Sequence, residues 1–401
     1  MGRPVDSVNN RQAISKSLPI FIAAVNMRTG IAIMSPLMPI LKEEYHLSSF
    51  LLSFLTSLSV LAFAASALLM PLIGKIGGTN RVIAMALIIL TLAMFIRAVG
   101  NVPLLFFSSL TVGIAIAVLN FSLPVWVKEN MPEHSGLITG VYITMMVVFA
   151  NIAVATAAPL SRATSWGWRL AMVPWIVVGV LSSAWWLWRN SKISSELHIA
   201  IPTKFHRELL RKPGAWSIGG FFGIQAMMGY GSGTWMPTIL VAKGFTLSHA
   251  GFWLSITGFA GSAVGMGAPY FASKLKDFRI LLSVIAIAMT VSFSGIVFGY
   301  GGNIVPWLFL SSFAFAFAFP LSLVLTVSRS VEAEETRSLS IMAQGVGYSM
   351  ATLAPGIVGG IFDTTQNWNN ALYFIIGLGV ILIGVGYVAG SPEKIILKSN
   401  V

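Results

Sequence analysis

An arginine lies at the centre of a long apolar segment near the start of the chain. Residues 18–41 read LPIFIAAVNMRTGIAIMSPLMPIL, and Arg28 is the only charged side chain among them. Its planar guanidinium can hold an anionic or strongly polar ligand, such as a carboxylate, by paired hydrogen bonds. The alternative is a structural arginine that donates to the carbonyls of a broken helix, which the nearby Gly30, Pro36 and Pro39 favour.

The depth of this arginine in the membrane makes it costly. A helix needs about 20 residues to cross a bilayer, so Arg28 is predicted near the midplane, at a cost of about 2.5–3.5 kcal/mol. Asn26 lies two residues earlier, about 200° away around a helix, so the two side chains cannot share one face. We expect Asn26 to pair with a neighbouring helix or to steady an unwound turn, and ligand contact is its alternative role.

Further polar and aromatic side chains inside other apolar segments are candidates for the same site. They are Asn120, Gln225, Tyr230, Trp235, Gln344 and Tyr348, and Tyr142 and Asn151 lie at similar depth without being assigned to the site. Hydrogen bonds between membrane helices contribute about 0.6 kcal/mol on average, so each of these residues can equally be a contact between helices.

Three of these candidates have a more specific expected position. Gln225 is expected about as deep as Arg28, and Tyr348 shares a helix face with Gln344, four residues before it. Trp235 is also typical of the aromatic belt at a membrane interface.

The composition predicts an integral membrane protein. Hydrophobic residues make up 56% of the 401 residues and charged residues 9%, against about 25% charged in soluble domains. The net charge of +12 is spread over short connections, which argues against nucleic-acid binding. There is no cysteine, and the five histidines lack metal-ligand spacing. Redox and metal chemistry are therefore not expected, and no nucleotide-binding motif or cofactor is expected either.

Twelve apolar segments of spanning length follow one another. They are residues 17–41, 48–73, 82–100, 103–126, 135–160, 169–189, 213–240, 248–272, 280–299, 304–328, 338–362 and 369–390. Because lipid offers no partner to free backbone groups, each is predicted to be a helix. Of the 25 Lys and Arg residues, 19 fall on one side, five including Arg97 on the other, and Arg28 lies within a segment. The positive-inside rule then places both termini in the cytoplasm and the protein in the cytoplasmic membrane.

The one long polar connection divides the chain into two similar halves. It predicts a cytoplasmic linker of residues 191–212 between an N-terminal half of residues 1–190 and a C-terminal half of residues 213–401. Five landmarks recur in order, namely Met38-Pro39 with Met236-Pro237, Leu47-Ser48 with Leu247-Ser248, Pro71 with Pro269, Ala158-Pro159 with Ala354-Pro355, and Trp168 and Ala171 with Trp368 and Ala371. The predicted fold class is an all-α membrane protein of twelve transmembrane helices in two six-helix pseudo-repeats.

Several short motifs occur in order over most of the chain. They are Asn26-Met-Arg28, Gly229-Tyr230, Trp235-Met-Pro237, Phe319-Pro-Leu321, Gln344-Gly-Val-Gly-Tyr348, Ala354-Pro355 and Trp368. Together they resemble the cyanate and nitroimidazole transporter group of the major facilitator superfamily. The resemblance implies passage of small anions or small polar heterocycles, with the Asn-x-Arg motif at the binding site. The expected partners are a small-molecule substrate and the lipid bilayer, for a chain that acts as a monomer.

Two connections stand where this superfamily carries a Gly-x-x-x-Asp-x-x-Gly-x-Arg gate motif. The first, residues 74–81, lacks the acidic position, whereas its repeat, residues 273–279, keeps Asp277. We therefore do not expect the usual charge latch in the first half. Residues 354–360 resemble the Gly-Pro-x-x-Gly-Gly motif of drug antiporters, but close helix packing explains their small side chains.

These features predict a secondary transporter that works by alternating access, with Arg28 at the site between the halves. The apolar segments contain no Asp or Glu, and no His near their centres. A facilitator, an exchanger or symport of a proton carried by the substrate is therefore expected. One alternative is a multidrug efflux transporter of the same fold, although Arg28 would repel lipophilic cations. A non-transporting receptor or lipid-handling protein is disfavoured because no loop exceeds about 25 residues.

Overall fold

The computed structural model describes residues 17–73, 78–190, 207–268, 272, 274–331 and 333–395, and every longer regular element in them is an α-helix. The first half contains α1 (Leu18–Ala32), α2 (Met34–Tyr45), α3 (Ser49–Ile73), α4 (Thr79–Val99), α5 (Val102–Asn130), α6 (Ser135–Ala163) and α7 (Trp168–Asn190). The second half contains α8 (Pro213–Ala242), α9 (Leu247–Gly265), α10 (Arg279–Phe298), α11 (Val305–Ser328), α12 (Ala333–Thr365) and α13 (Trp368–Ala389). Three short 3-10 helices, Pro132–His134, Arg207–Arg211 and Gly301–Ile304, lie in the connections.

The predicted fold class is confirmed, because α1 and α2 form one crossing and the thirteen helices make twelve crossings, six in each half. With α1 and α2 counted together, nine of the described helices have the length and hydropathy of a membrane span. The other three crossings are α3, α8 and α9. Residues 191–206 of the predicted linker, and residues 74–77 and 273 of the two gate-like connections, lie outside the described residues.

The first crossing is broken, whereas the sequence predicts one continuous helix over residues 17–41. α1 ends at Ala32 and α2 begins at Met34, with Ile33 between them. Pro36 accounts for the break, because a proline has no N–H and its ring clashes with the carbonyl four residues before it. The second part, α2, continues to Tyr45, past the predicted end of the segment.

The two halves meet along three helix pairs. The helix α3 packs on α12, α6 packs on α9, and α2 packs on α8. Glycines permit the close approach of α9 to α6, since a Cβ at Gly258 would lie 2.3 Å from Asn151 Oδ1 and one at Gly251 would lie 3.0 Å from Val154 O. The interface is therefore tight along α6 and α9, where it borders the cavity described below.

A carboxylate joins the halves at the end of the bundle opposite the chain termini. Asp363 near the end of α12 accepts hydrogen bonds from Ser49 N at 3.0 Å and Phe50 N at 2.8 Å. Lys42 Nζ lies 3.7 Å from the same carboxylate. The first N–H groups of a helix lack partners within that helix, so Asp363 caps the start of α3 from the other half of the protein.

Candidate functional site

A cavity of about 520 Å³ lies between the two halves. Its wall comes from α1 and α6 of the first half and from α8, α9, α10, α11 and α12 of the second. The lining residues are Arg28, Asn151, Gln225, Ala226, Gly229, Tyr230, Ser232, Gly233, Met236, Leu254, Thr257, Gly258, Phe293, Leu308, Ser311, Ser312, Phe315, Phe319 and Tyr348. The second half supplies most of the wall, and the first half supplies the one charged side chain among these described residues.

Arg28 reaches the cavity from the C-terminal part of α1. Its Nη1 donates to Tyr230 Oη of α8 at 3.4 Å, a long contact that connects the two halves. Arg28 forms no ion pair with any described residue, and none of the described lining residues is acidic. The guanidinium therefore faces the cavity without a carboxylate to neutralise it.

Two amide side chains in the cavity wall hold buried donors that have no partner among the described residues. These donors are Gln225 Nε2 on α8 and Asn151 Nδ2 on α6, and Gln225 is only 3% exposed. A buried donor without a partner costs about 1–3 kcal/mol, so such a group is a good place for a ligand acceptor. Together with Arg28, the two amides bring N–H donors to the cavity from three helices.

The serine and threonine hydroxyl groups of the wall are committed to helix carbonyls. Ser232 Oγ donates to Met228 O at 2.5 Å, and Ser312 Oγ donates to Thr257 O at 2.6 Å. The hydroxyls of Ser311 and Thr257 donate to carbonyls of their own helices. Because these hydrogens are engaged, the donors left for a ligand are Arg28, the two amides and the hydroxyls of Tyr230 and Tyr348.

Aromatic rings form the apolar part of the wall. Phe293 and Phe315 pack edge to face with their centroids 6.2 Å apart. The ring of Tyr348 packs edge to face on Phe222 at 5.2 Å and on Phe63 of α3 at 5.5 Å. These packed rings form a preformed apolar wall beside the polar groups, as is typical of small-molecule sites.

Four of the residues predicted for the site lie together on this cavity, namely Arg28, Gln225, Tyr230 and Tyr348. Asn120 is not among the lining residues and is exposed on α5. Gln344 shares α12 with Tyr348 but does not line the cavity, and its Nε2 donates to Ser340 Oγ at 2.9 Å, one turn earlier.

Asn26 and Trp235 lie away from the cavity in buried contacts between helices. Asn26 Nδ2 donates to Ser182 Oγ of α7 at 2.8 Å, which is the pairing with a neighbouring helix that its position on α1 predicts. Trp235 Nε1 donates to Pro355 O of α12 at 3.0 Å, and its ring lies 5.4 Å from that of Trp368. With 1% of its surface exposed, Trp235 is an interior residue and not part of an interfacial belt.

Asn151 is the lining residue with an unpartnered amide donor that the predicted site leaves out. The sequence places it at a depth similar to that of the chosen residues, but it belongs to none of the motifs of the family resemblance. The packing of α6 on α9 brings Asn151 to the cavity.

Arg97, counted from the sequence only among the basic residues of the outer side, has a structural role that was not predicted. It is 0% exposed at the end of α4, and its Nη1 donates to Gly30 O at 2.6 Å. Arg97 therefore has the carbonyl-binding role that the sequence offered as the alternative for Arg28. The adjacent Ser108 and Ser109 in the next segment were a possible sequence signal for a buried Arg97, because their hydroxyls accept two more hydrogen bonds from its guanidinium.

Comparison with known proteins identifies the family. Residues 20–355 match the model of the Major Facilitator Superfamily. The chain belongs to this superfamily of membrane transporters. It is 28% identical over 380 residues to the Uncharacterized transporter YycB of Bacillus subtilis (strain 168), covering 94% of this chain and 93% of the relative.

Two further relatives of this transporter have named substrates. The 2-nitroimidazole transporter of Escherichia coli (strain K12) is 27% identical over 392 residues, covering 97% of this chain and 98% of the relative. The Cyanate transport protein CynX of the same organism is 23% identical over 372 residues, covering 91% and 96%. The resemblance to this group of the superfamily is thereby confirmed.

A solved structure supports the same fold for the transporter. The crystal structure of a D-xylose-proton symporter superposes with a TM-score of 0.76 at 15% identity, covering 95% of this chain and 99% of that one. At this identity the likeness concerns the fold alone. The arrangement of two six-helix halves around a central cavity is therefore that of a multi-pass membrane transporter of this superfamily.

Proposed function

We propose that this protein is a secondary transporter for a small anion or a small polar nitro-type or heterocyclic compound, with Arg28 as its main binding group. The observation that carries the proposal is the exposure of an unpaired guanidinium to a cavity whose described wall contains no carboxylate. An electron-rich group in the cavity would supply the partner that the guanidinium lacks.

The energetics of the cavity favour such a ligand. A charge taken out of water is costly unless a partner compensates for the lost hydration. Arg28 has one long contact with the Tyr230 hydroxyl, and the amide donors of Gln225 and Asn151 have no described acceptor. A carboxylate, nitro or cyanate group would accept from all three, whereas a cation would be repelled by the one charge of the described wall, which no described carboxylate offsets.

The relatives support a substrate of this size and polarity. Two of them are named for the transport of 2-nitroimidazole and of cyanate, both of which are small enough for a cavity of about 520 Å³. The protein is proposed to need no cofactor and to act as a monomer in the cytoplasmic membrane, with both termini in the cytoplasm.

The proposed mechanism is alternating access, in which the halves rock about the cavity. In the present structure the halves are joined at one end by Asp363, Lys42 and the start of α3, so this end must open for the opposite state. The described lining residues include no Asp, Glu or His that could carry a coupling proton. Because these lining residues offer no group to carry the proton, the proposed modes of transport are facilitated diffusion, exchange, or symport in which the substrate itself carries the proton.

Uptake by the purified protein in proteoliposomes tests the proposal. Labelled 2-nitroimidazole, labelled cyanate and a lipophilic cationic dye are each offered over a range of concentrations. We expect saturable uptake of at least one of the two small compounds and none of the dye. Saturable uptake of the dye alone would favour multidrug efflux, and the absence of flux for all three would favour a non-transporting membrane protein.

A further inference from the structure

A second arginine is buried in the first half without an acidic partner among the described residues. Arg97 Nη1 donates to Gly30 O at 2.6 Å, Nη2 to Ser109 Oγ at 3.1 Å and Nε to Ser108 Oγ at 3.3 Å. Both serine hydroxyls donate to Leu105 O, so their lone pairs are free to accept from the guanidinium. The three contacts fix the plane of Arg97 between α1 and α5.

The bound carbonyl lies at the break of the first crossing. Gly30 is three residues before Ile33, where α1 gives way to α2. A Cβ at Gly30 would lie 3.1 Å from Met94 Sδ of α4 and 3.3 Å from Val112 Cγ1 of α5. The last turn of α1 is therefore pressed against α4 and α5, and Arg97 bonds it there.

The two parts of the first crossing differ in their attachment to the two halves. α1 is fixed to its own half by Arg97 and by the Asn26–Ser182 hydrogen bond. α2 is attached to both halves, because Ser35 Oγ donates to Gly233 O of α8 at 2.5 Å while Glu44 pairs with Arg169 of α7 at 3.0 Å. When the halves move relative to each other, a pull on α2 reaches α1 through the break at Ile33.

Arg28 lies in the turn that this pull would displace. It is two residues before Gly30, about 200° around the helix, so Gly30 faces α4 and α5 while Arg28 faces the cavity. We propose that Arg97 is a positioning residue, which holds the last turn of α1 on the first half and so keeps Arg28 at a fixed place in the cavity. The inference rests on the proposed function only in treating Arg28 as the binding group.

The geometry requires an arginine in particular. A guanidinium donates in three directions in one plane, which matches one carbonyl on α1 and two hydroxyls on α5. A lysine at the same place would keep the charge and could bond the carbonyl, but it could not also hold both serines. Arg97→Lys should therefore hold α1 less firmly than the native residue and more firmly than Arg97→Met.

Cysteine labelling tests the inference without any transported compound, because the native chain has no cysteine. An Arg28→Cys chain reports on the last turn of α1, and a Ser312→Cys chain reports on the cavity wall of the other half. Each receives Arg97→Met, Arg97→Lys or, as a control, Arg162→Gln, which removes an exposed charge predicted on the same membrane side. The rate of modification by a neutral methanethiosulfonate reagent is measured for every protein.

We expect Arg97→Met to speed labelling at position 28 about tenfold, since a buried charge-assisted hydrogen bond is lost, with labelling at position 312 little changed. Arg97→Lys should give an intermediate rate, and Arg162→Gln should have no effect. Equal rates at position 28 in the Arg97→Lys and native backgrounds would overturn the inference. A parallel rise at position 312 would also overturn it, because the effect would then be a general loosening.

The labelling result is independent of the proposed function. If the Arg97→Met protein does not fold, the labelling rate in the Arg97→Lys protein, which keeps the positive charge, is compared with the native rate instead. If no compound is transported in proteoliposomes, the proposed function fails while the labelling still decides whether Arg97 places residue 28.

Discussion

Asn26 and Arg28 lie two residues apart on α1 and contact opposite halves of the protein. Asn26 Nδ2 donates to Ser182 Oγ in the first half at 2.8 Å, and Arg28 Nη1 donates to Tyr230 Oη in the second half at 3.4 Å. About half a turn of helix thus separates an anchoring contact from a contact with the other half. Changes at the two positions should therefore have different consequences.

Replacement of Arg28 by alanine should abolish specific uptake and leave insertion and folding intact. The side chain contributes the cavity's one described charge, and its long contact with Tyr230 stabilises little. Arg28→Lys should retain weak uptake, because the charge remains and the paired donors are lost. The measurement is uptake into proteoliposomes by protein of verified monodispersity. Full uptake by Arg28→Ala would contradict the assignment, and native kinetics in Arg28→Lys would mean that charge alone matters.

Replacement of Asn26 by alanine should reduce stability more than substrate affinity. Its hydrogen bond to Ser182 is buried between α1 and α7, and such interhelical bonds contribute about 0.6 kcal/mol on average and at most about 1.7 kcal/mol. We expect a lowered melting temperature in detergent with an unchanged KM for uptake. A matched Ser182→Ala variant should have the same effect, and the double variant should add little. A raised KM at native stability would instead place Asn26 at the binding site.

Two glutamines allow a matched comparison between the cavity wall and a position outside it. Gln225 Nε2 is an unpartnered donor at the cavity wall, whereas Gln344 Nε2 donates to Ser340 Oγ and does not line the cavity. Gln225→Leu should weaken substrate binding about tenfold, as expected for one lost hydrogen bond to a charged or polar acceptor. Gln344→Leu should leave KM unchanged. The comparison is made by uptake kinetics at equal protein density, and equal effects of the two changes would argue against a site at this cavity.

The described cavity wall contains no group that ordinarily titrates between pH 5 and 8. None of its described residues is Asp, Glu or His, the side chains that usually carry a coupling proton inside a membrane transporter. Uptake of a compound whose own charge is constant over this range should therefore be independent of pH. Initial rates in the absence of a proton gradient measure this, and a bell-shaped profile would indicate a titrating group that the cavity does not contain.

Much of the fold follows from sequence because a bilayer leaves few options. The apolar runs had to be helices, and their number and the repeated Met-Pro pairs predicted two six-helix halves. A broken helix near Gly30, Pro36 and Pro39 was considered as the alternative setting of Arg28, but its place was not predicted, because either proline could have caused it. The structure shows that the interruption precedes Pro36, whereas Pro39 is accommodated inside α2.

The site was predictable in part, because the position of a polar residue within an apolar segment indicates that it is buried but not what it faces. Arg28, Gln225, Tyr230 and Tyr348 are deep and polar, and they do line the cavity. Asn26, Trp235 and Gln344 also lie in apolar segments, but Asn26 and Trp235 contact neighbouring helices and Gln344 contacts its own. Depth alone does not tell a cavity from a helix contact. Arg97 was counted only as a charge of the outer side, and its complete burial was not predicted.

The capping carboxylate of Asp363 provides a last prediction, on the equilibrium between transporter states. Asp363 accepts from Ser49 N and Phe50 N at the start of α3 and lies 3.7 Å from Lys42 Nζ. A side-chain cap of this kind stabilises a helix start by about 1 kcal/mol, and this one joins the two halves. Asp363→Asn weakens the charge interaction, and Asp363→Ala removes the cap. Closure of this end should therefore become about fivefold less favourable in Asp363→Ala, with a smaller change in Asp363→Asn.

Crosslinking across the neighbouring contact between the halves measures this closure. Ser35 and Gly233 meet where α2 packs on α8, with the serine hydroxyl 2.5 Å from the glycine carbonyl. A short bifunctional thiol reagent should crosslink a Ser35→Cys, Gly233→Cys pair in the native background and less so with Asp363→Ala, since a Cβ at Gly233 would have no neighbour within 4 Å and leaves room for the reagent. Glu43→Gln is the matched control, because Glu43 is exposed at the same end and no contact joins it to the other half in the described residues. An undiminished yield in Asp363→Ala would mean that packing of α2 on α8 closes this end without the carboxylate, since the cap would then contribute nothing to the joined state.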